Sequence, residues 1–312
     1  MHSLVQLEYI IAVDTYQQFS IAAEKCFVTQ PTLSMQIKKL ENDLDVIIFD
    51  RSRQPVVPTE MGKKIIEQAR IILAESKKIE EIVQTNKKAV AGDLRIGIIP
   101  SVAPYLLPVF IGKLTRAYPD LVVKVKELLT EEVLDELNKE LLDVGIISTP
   151  VPQGGFNEIP LYYEKIHIYC HPSHPFFKED SISLRELSQQ NVWLLSQGHC
   201  FRSQVINICA LKADINNLPF TYESASIETL VKMVDKEGGL TLIPELAVKD
   251  LTPKKQKGVK PIKGLNPVRE IGLVTNRIFV KENTLAALKK TIQATLDNDI
   301  QKESRGERVE WS

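Results

Sequence analysis

FSIAAEKCFVTQPTLSMQIKKLENDLDVIIFDR, residues 19–51, is the stretch on which the reading of the fold turns. It opens with a short helical run, IAAEKC, for which Ser20 is the expected N-cap. Phe27, Val28 and Thr29 then break the periodicity. A second helix is expected from QPT, because Pro31 suits a first turn that needs no N–H at that position. Leu33, Ile37 and Leu40 follow at helical spacing. Two helices joined by a turn of about three or four residues make a helix-turn-helix. Beyond it, VIIFD, RSRQP and VVP predict two short strands around a turn, which would form a wing. Before it, residues 4–16 predict an amphipathic helix with Leu4, Leu7, Ile10, Ile11 and Val13 on one side.

Such a motif places the N-terminal half of its second helix in the major groove of DNA. Thr29, Gln30, Pro31, Thr32, Ser34 and Gln36 stand at that end. A glutamine can bond adenine through two hydrogen bonds, and a threonine methyl suits thymine. Lys38, Lys39, Arg51 and Arg53 are the candidate phosphate partners. The overall charge gives no support: residues 1–91 hold twelve Lys and Arg against twelve Asp and Glu. Affinity must then come from locally placed cations and from dimerisation. A helical packing module is the competing reading of the same pattern.

From Thr59 the pattern changes. A proline-free run to residue 88 carries Ile65, Ala69, Ile72, Ser76, Ile79 and Val83 at alternating three- and four-residue steps. That narrow seam predicts a long linker helix packed against a copy of itself. An ordinary surface helix lying on its own domain is the alternative. After Gly92, strand-like runs (LRIGIIP, VVKVKEL, LLDVGII, KIHIYC, NVWLL, LTLIP) alternate with helical ones, which implies an α/β fold with parallel sheets. REIGLV resembles the early LRIGII, so the last segment is expected to return to the first lobe. The expected organisation is a winged helix-turn-helix over 1–58 and a linker helix over 59–88. A regulatory domain of two α/β lobes, like those of a periplasmic binding protein, would cover 89–302. Lobe I would hold about 89–161 and 266–302, and lobe II about 162–265. The polar ESRGERVEWS, 303–312, has little to bury and is expected to be a flexible tail.

The whole chain sets the outer bounds. Its 312 residues are 44% hydrophobic and 25% charged with a net charge of −1, the composition of a globular protein of more than one domain. The N-terminus lacks the cations of a signal peptide, and no apolar run reaches the roughly 18 residues of a membrane span. A cytoplasmic location is the expectation, and there a cysteine pair is more often reactive than structural. No C-x₂-C occurs, and the histidines have no standard zinc spacing, so neither metal nor cofactor is expected. Cys26 and Cys170 read as small core hydrophobes.

Cys200 and Cys209, in GHCFRSQVINIC (198–209), differ. Cys200 follows a glycine-containing turn at the start of an expected helix, with His199 and Arg202 beside it. Free N–H groups and nearby cations are what lower a thiol's pKa and populate the thiolate that attacks peroxide. If 200–209 is one helix, the two cysteines lie about 13.5 Å apart along it and on opposite faces. A disulfide needs Cα atoms roughly 4.4–6.8 Å apart, so such a bond would require the helix to unwind. Two unrelated core cysteines are the competing reading.

Residues 19–51 resemble the signature of LysR-type transcriptional regulators, and TEMG (59–62) resembles the start of that family's linker helix. The family usually has Ser at the position of Thr29 and Gly at that of Asp45; the second departure alters the turn into the wing. GHCFRSQVINIC, IPSVAPYLLP (99–108), SASIETLVKMV (224–234) and GGLTLIPELAV (238–248) resemble the family's peroxide-sensing members, so the resemblance covers most of the chain. It implies Cys200 as the peroxidatic and Cys209 as the resolving cysteine of a reversible disulfide. It also implies Ser101 and Thr130 as hydroxyls near the peroxide, with His199, Arg202 and Arg269 at matching positions. Ser203 stands where an aspartate is common, which changes proton handling or the speed of disulfide formation. The implied protein is no enzyme but a regulator of oxidative-stress genes. Its implied partners are promoter DNA, hydrogen peroxide, RNA polymerase, a thiol reductant such as glutaredoxin or thioredoxin, and further copies of itself, as a homodimer pairing into a homotetramer. A LysR-type regulator of a small metabolite bound between the lobes is the alternative. A thiol peroxidase would need no DNA-binding head, and a periplasmic solute receptor would need an export signal.

Overall fold

The computed structural model describes residues 3–85, 90–209, 226–277, 279 and 281–310. These fall into two compact units. In the first, α1 (Leu4–Tyr16) begins at a reciprocal cap in which Ser3 Oγ accepts from the Gln6 N–H and Gln6 Oε1 accepts from the Ser3 N–H. Helix α2 (Phe19–Lys25) starts from Gln18, so Ser20 lies inside the helix and is not its cap. Phe19, which opens it, packs edge-on against Phe49 at 6.1 Å. Helix α3 (Gln30–Leu44) is capped by Thr29, with Pro31 in its first turn. Its C-terminus rests on Asp45 in the left-handed region (φ 51°, ψ 44°), the conformation that glycine adopts without strain. Strands β1 (Phe49–Asp50) and β2 (Val57–Pro58) pair antiparallel as the wing. Ile10, Val13, Ala22, Leu33, Ile37, Leu40, Ile48 and Phe49 close one core with Ile66 and Ala69.

Those last two residues belong to α4 (Glu60–Thr85). The first turns of α4 lie on α1, where Arg70 pairs with Asp14 at 2.8 Å. Ala69, expected in a seam between copies, is buried in its own unit; there the ordinary-surface reading holds. Farther along, Ile72 and Ile79 are 41% and 66% exposed. The side chain of Val83 and the expected end of the linker helix at 86–88 lie outside the described residues.

The second unit runs β3 (Gly92–Ile98), α5 (Ala103–Ala117), β4 (Leu121–Glu127), α6 (Thr130–Asn138), β5 (Val144–Thr149) and β6 (Phe156–Cys170). It continues through α7 (Leu184–Leu187), β7 (Val192–Trp193), α8 (Cys200–Cys209), α9 (Ile227–Glu237), β8 (Leu240–Pro244), α10 (Glu245–Lys249) and α11 (Pro253–Gln256). β9 (Val259–Lys260), β10 (Pro267–Asn276), α12 (Glu282–Gln293) and β11 (Glu307–Arg308) complete it. The strand order is β4-β3-β5-β10-β6-β8-β7, with β9 added on β6 and β11 on β10. β3 is parallel to β4 and β5, and β7 to β8, but β10 runs antiparallel to both β5 and β6. The expected parallel sheets are therefore mixed, because β10 re-enters lobe I from the opposite direction. β5 is buried along its whole length and β10 along nearly all of its own, as strands covered on both faces must be.

β6 passes the expected lobe boundary at 161/162 without a break. It pairs with β10 up to Lys165 and with β8 from Ile166, so one strand serves both lobes. The C-terminal segment is not a free tail as far as it is described. β11 pairs parallel with β10, and Arg305 bonds Glu245 at 2.6 and 2.9 Å. Composition signals apolar burial, whereas backbone pairing and ion pairs hold this segment. No helix among the described residues is long and apolar enough to cross a membrane.

Relieving the left-handed strain at Asp45 should stabilise the first unit. Asp45→Gly is expected to raise its unfolding free energy by about 1 kcal/mol, read by scanning calorimetry; an unchanged or lower transition would show that the aspartate sits there at no cost.

Candidate redox site and nucleic-acid interface

At the N-terminal end of α3, Gln30 and Pro31 are exposed and Thr32 is half-buried. Thr29 Oγ1 is engaged as the cap, accepting from the Thr32 N–H at 3.4 Å. Ser34 Oγ accepts from Arg51 Nη1 at 3.2 Å, while Arg51 Nη2 pairs with Glu41 at 2.8 Å and its guanidinium stacks over Phe19. Gln36 Oε1 accepts from Gln6 Nε2 at 3.3 Å, which turns it toward α1. Lys38 and Lys39 are exposed. Thr32 Oγ1 bonds Thr29 Oγ1 at 2.8 Å, so the exposed face narrows from what the sequence suggested to Gln30 and Pro31, with the lysines at its side. Met35, 62% exposed between Ser34 and Gln36, belongs to this face too. Its signal in the sequence is an apolar residue off the buried Leu33/Ile37/Leu40 stripe.

The second site is built around α8, which holds Cys200 at its first residue and Cys209 at its last. Gly198, at φ +87°, makes the turn that aims the chain into the helix. Both cysteines are free thiols, 4% and 1% exposed. Across one intact helix their Cα atoms lie about 13.5 Å apart along the axis, beyond disulfide reach. Burial pushes the Cys209 thiol up to about 12. Burial also raises Cys200, against the opposing pull of Arg269, the Thr130 hydroxyl and the backbone N–H groups of Cys200 and Phe201. The expected depression of the Cys200 pKa is therefore not found in this state. The helix terminus favours the thiolate, but desolvation outweighs it.

The cation beside Cys200 is also not the one expected. Arg202 Nη1 donates to the Leu195 carbonyl at 2.7 Å, and burial lowers the pKa of His199, which keeps its ring neutral near pH 7. Arg269 takes the cationic part. Fully buried, it donates from Nε to Glu164 Oε1 (2.7 Å), from Nη1 to Ser101 Oγ (2.8 Å) and from Nη2 to the Ser101 carbonyl (2.9 Å). It also lies over the Phe201 ring at 4.8 Å. Glu164, itself fully buried, accepts from the Leu246 N–H as well. Thr130 Oγ1 is buried at the start of α6 beside the Cys200 sulfur, whose thiolate it favours, and takes no other partner among the described residues. The site therefore brings together Cys200, Ser101, Thr130 and Arg269, sets Arg202 to a structural task, and holds Cys209 at the far end of α8. Ser203 is half-buried, its N–H turned to the His199 carbonyl at 3.4 Å. Cys170 is buried as expected, with Sγ donating to the Gly258 carbonyl; Cys26 is only half-buried.

Two family descriptions match the chain: the bacterial regulatory helix-turn-helix of the lysR family over residues 4–63 and the LysR substrate-binding domain over 87–297. The chain belongs to the LysR family. Among LysR-family relatives, a hydrogen peroxide-inducible genes activator from Haemophilus influenzae is 38% identical over 270 residues, 86% of this chain and 88% of the relative. A full-length OxyR variant from Pseudomonas aeruginosa has a similar structure, with a TM-score of 0.77 and 32% identity over 94% of this chain and 98% of that one. A hydrogen peroxide-bound OxyR variant from Corynebacterium glutamicum matches with a TM-score of 0.61 and 27% identity over 95% and 92% of the two chains. The chain is thus an OxyR-like member of the LysR family, whose relatives regulate transcription and are not enzymes.

The buried ion pair gives a direct test of this arrangement. Arg269→Met leaves Glu164 charged and alone, and is expected to cost about 3–5 kcal/mol in urea unfolding. Adding Glu164→Gln, which still accepts from Leu246, should recover most of that loss. In the double variant, alkylation of Cys200 should need a higher pH than in the native chain, because the cation favouring the thiolate is gone; an unshifted profile would remove Arg269 from the site's electrostatics.

Proposed function

We propose that this protein regulates transcription in response to hydrogen peroxide, binding promoter DNA through α3 and sensing peroxide through Cys200. The observation that carries the reading is Cys200 at a helix N-terminus, buried beside Arg269 and the Thr130 hydroxyl. A small, uncharged molecule rich in hydrogen-bond capacity suits that place. Peroxide would bond the Thr130 hydroxyl beside Cys200 and the Ser101 hydroxyl, which already accepts from Arg269. The names of the Haemophilus and Corynebacterium proteins support the same signal.

The chemistry balances in two steps. The Cys200 thiolate attacks one peroxide oxygen; the O–O bond breaks and the leaving hydroxide takes a proton to become water, leaving Cys200 sulfenic acid. The Cys209 sulfur, deprotonated as it attacks, then displaces hydroxide from that sulfur to close the disulfide, and a second water forms. Two electrons pass from the thiols to peroxide. The second step requires α8 to open, which gives the sensor two distinct conformations. A dithiol reductant such as thioredoxin or glutaredoxin returns it to the starting state. Binding to promoter DNA as a homodimer or homotetramer, and passing the change to RNA polymerase, complete the proposed cycle.

Thiol counting by mass spectrometry tests the sensor. Peroxide should remove two of the four thiols and link Cys200 to Cys209. Cys200→Ser should retain all the remaining thiols, and Cys209→Ser should accumulate a sulfenic acid that a dimedone probe traps. Four unchanged thiols in the native chain would replace this reading with a metabolite-responsive regulator. For the DNA face, Gln30→Ala should weaken binding to a selected operator by about 1–3 kcal/mol and leave non-specific binding unchanged; equal losses on both DNAs would make Gln30 a backbone contact.

A further inference from the structure

The C-terminal segment touches both elements that carry the redox site. Its backbone pairs along β10, which bears Arg269: the Glu307 N–H donates to the Asn266 carbonyl at 2.8 Å and the Val309 N–H to the Val268 carbonyl at 2.9 Å. Its other side meets α8. Gln204 Nε2 donates to the Val309 carbonyl (3.0 Å) and to Ser148 Oγ (3.1 Å), and Asn207 Nδ2 donates to the Glu310 carbonyl (3.1 Å). Ionic contacts pin the segment. Arg305 pairs with Glu245, and Arg308 Nη1 pairs with Glu270 (2.8 Å), whose other oxygen accepts from Thr149 Oγ1 (2.6 Å). The fit is close at Gly306, where a Cβ would stand 2.1 Å from the Asn266 carbonyl oxygen.

We propose that residues 305–310 form a strap that holds α8 helical while its cysteines are thiols, with Gln204 and Asn207 as the positioning residues through which it acts. Both side chains lie between the two cysteines, so the helix cannot open fully without releasing them from the Val309 and Glu310 carbonyls. The strap thus favours the dithiol form. Loosening it lets α8 open more often, speeds closure of the disulfide at a given peroxide level, and makes the disulfide harder to reduce. This consequence rests on the peroxide reading; the hold on α8 does not.

Two full-length variants test it. Asn207→Asp keeps the shape but removes the donor, and Gly306→Val blocks the strap's seat on Asn266. In the reduced protein, labelling of Cys209 by iodoacetamide should quicken about three-fold in the first and ten-fold in the second. Cys170, buried on β6 away from α8, serves as the control and should keep its native rate. Native-rate labelling of Cys209 in Asn207→Asp, or equal acceleration of Cys170 in both variants, would overturn the strap. If Gly306→Val alone unfolds, Asn207→Asp decides. The glutathione equilibrium of Gly306→Val should also shift about ten-fold toward the disulfide, roughly 30 mV more negative. Native protein that forms no disulfide under peroxide sinks the proposed signal while the labelling result still judges the strap.

Discussion

Arg269 and Glu164 form an ion pair that is closed to water on every side. Two buried charges are tolerated only when each is neutralised and its hydrogen bonds are satisfied. Arg269 meets that condition by spending its guanidinium on Glu164, on both oxygens of Ser101 and on the face of Phe201. One side chain thereby fixes β10 to β6, the turn before α5 to β10, and the first turn of α8 to all three. The surroundings of Cys200 follow from a constraint that exists to keep a cation content in the interior.

The same burial shapes the chemistry of the site. Desolvation holds Cys200 in its thiol form, against the attraction of Arg269 and the helix terminus. The opposing influences are of the kind that a bound polar molecule can tip, because each acts over a few ångströms in a medium of low dielectric response. The Thr130 hydroxyl, which favours the Cys200 thiolate, is part of that balance. Among the described residues, burial is the influence that acts on Cys209.

Much of this was legible in the sequence, for identifiable reasons. Periodicity marked α1 and α3, and Pro31 marked the first turn of α3, because these effects are local; the caps at Ser3 and Thr29 were not read, and Ser20, read as a cap, lies inside α2. The helix joining Cys200 to Cys209 was visible for the same cause. What stayed hidden was pairing between distant residues. Nothing near Arg51 announces Glu41 and Ser34, and nothing near Gln36 announces Gln6. Arg202 was closest to Cys200 in the chain, yet Arg269, from another strand, supplies the charge. The polar end of the chain read as unbound because ladders and ion pairs leave no hydrophobic trace. β6 read as ending one lobe and beginning another, because pairing partners, unlike strand propensity, are not written locally.

Cys209 lies buried at the far end of α8, protonated and out of disulfide reach of Cys200. A newly formed sulfenic acid on Cys200 would therefore have to wait for the helix to melt. On the proposed mechanism, a second peroxide would compete for the same sulfur during that wait and drive it to the irreversible sulfinic acid. The packing around one thiol would then impose a ceiling as well as a threshold: a band of oxidant doses that the regulator reports faithfully, above which it is spent.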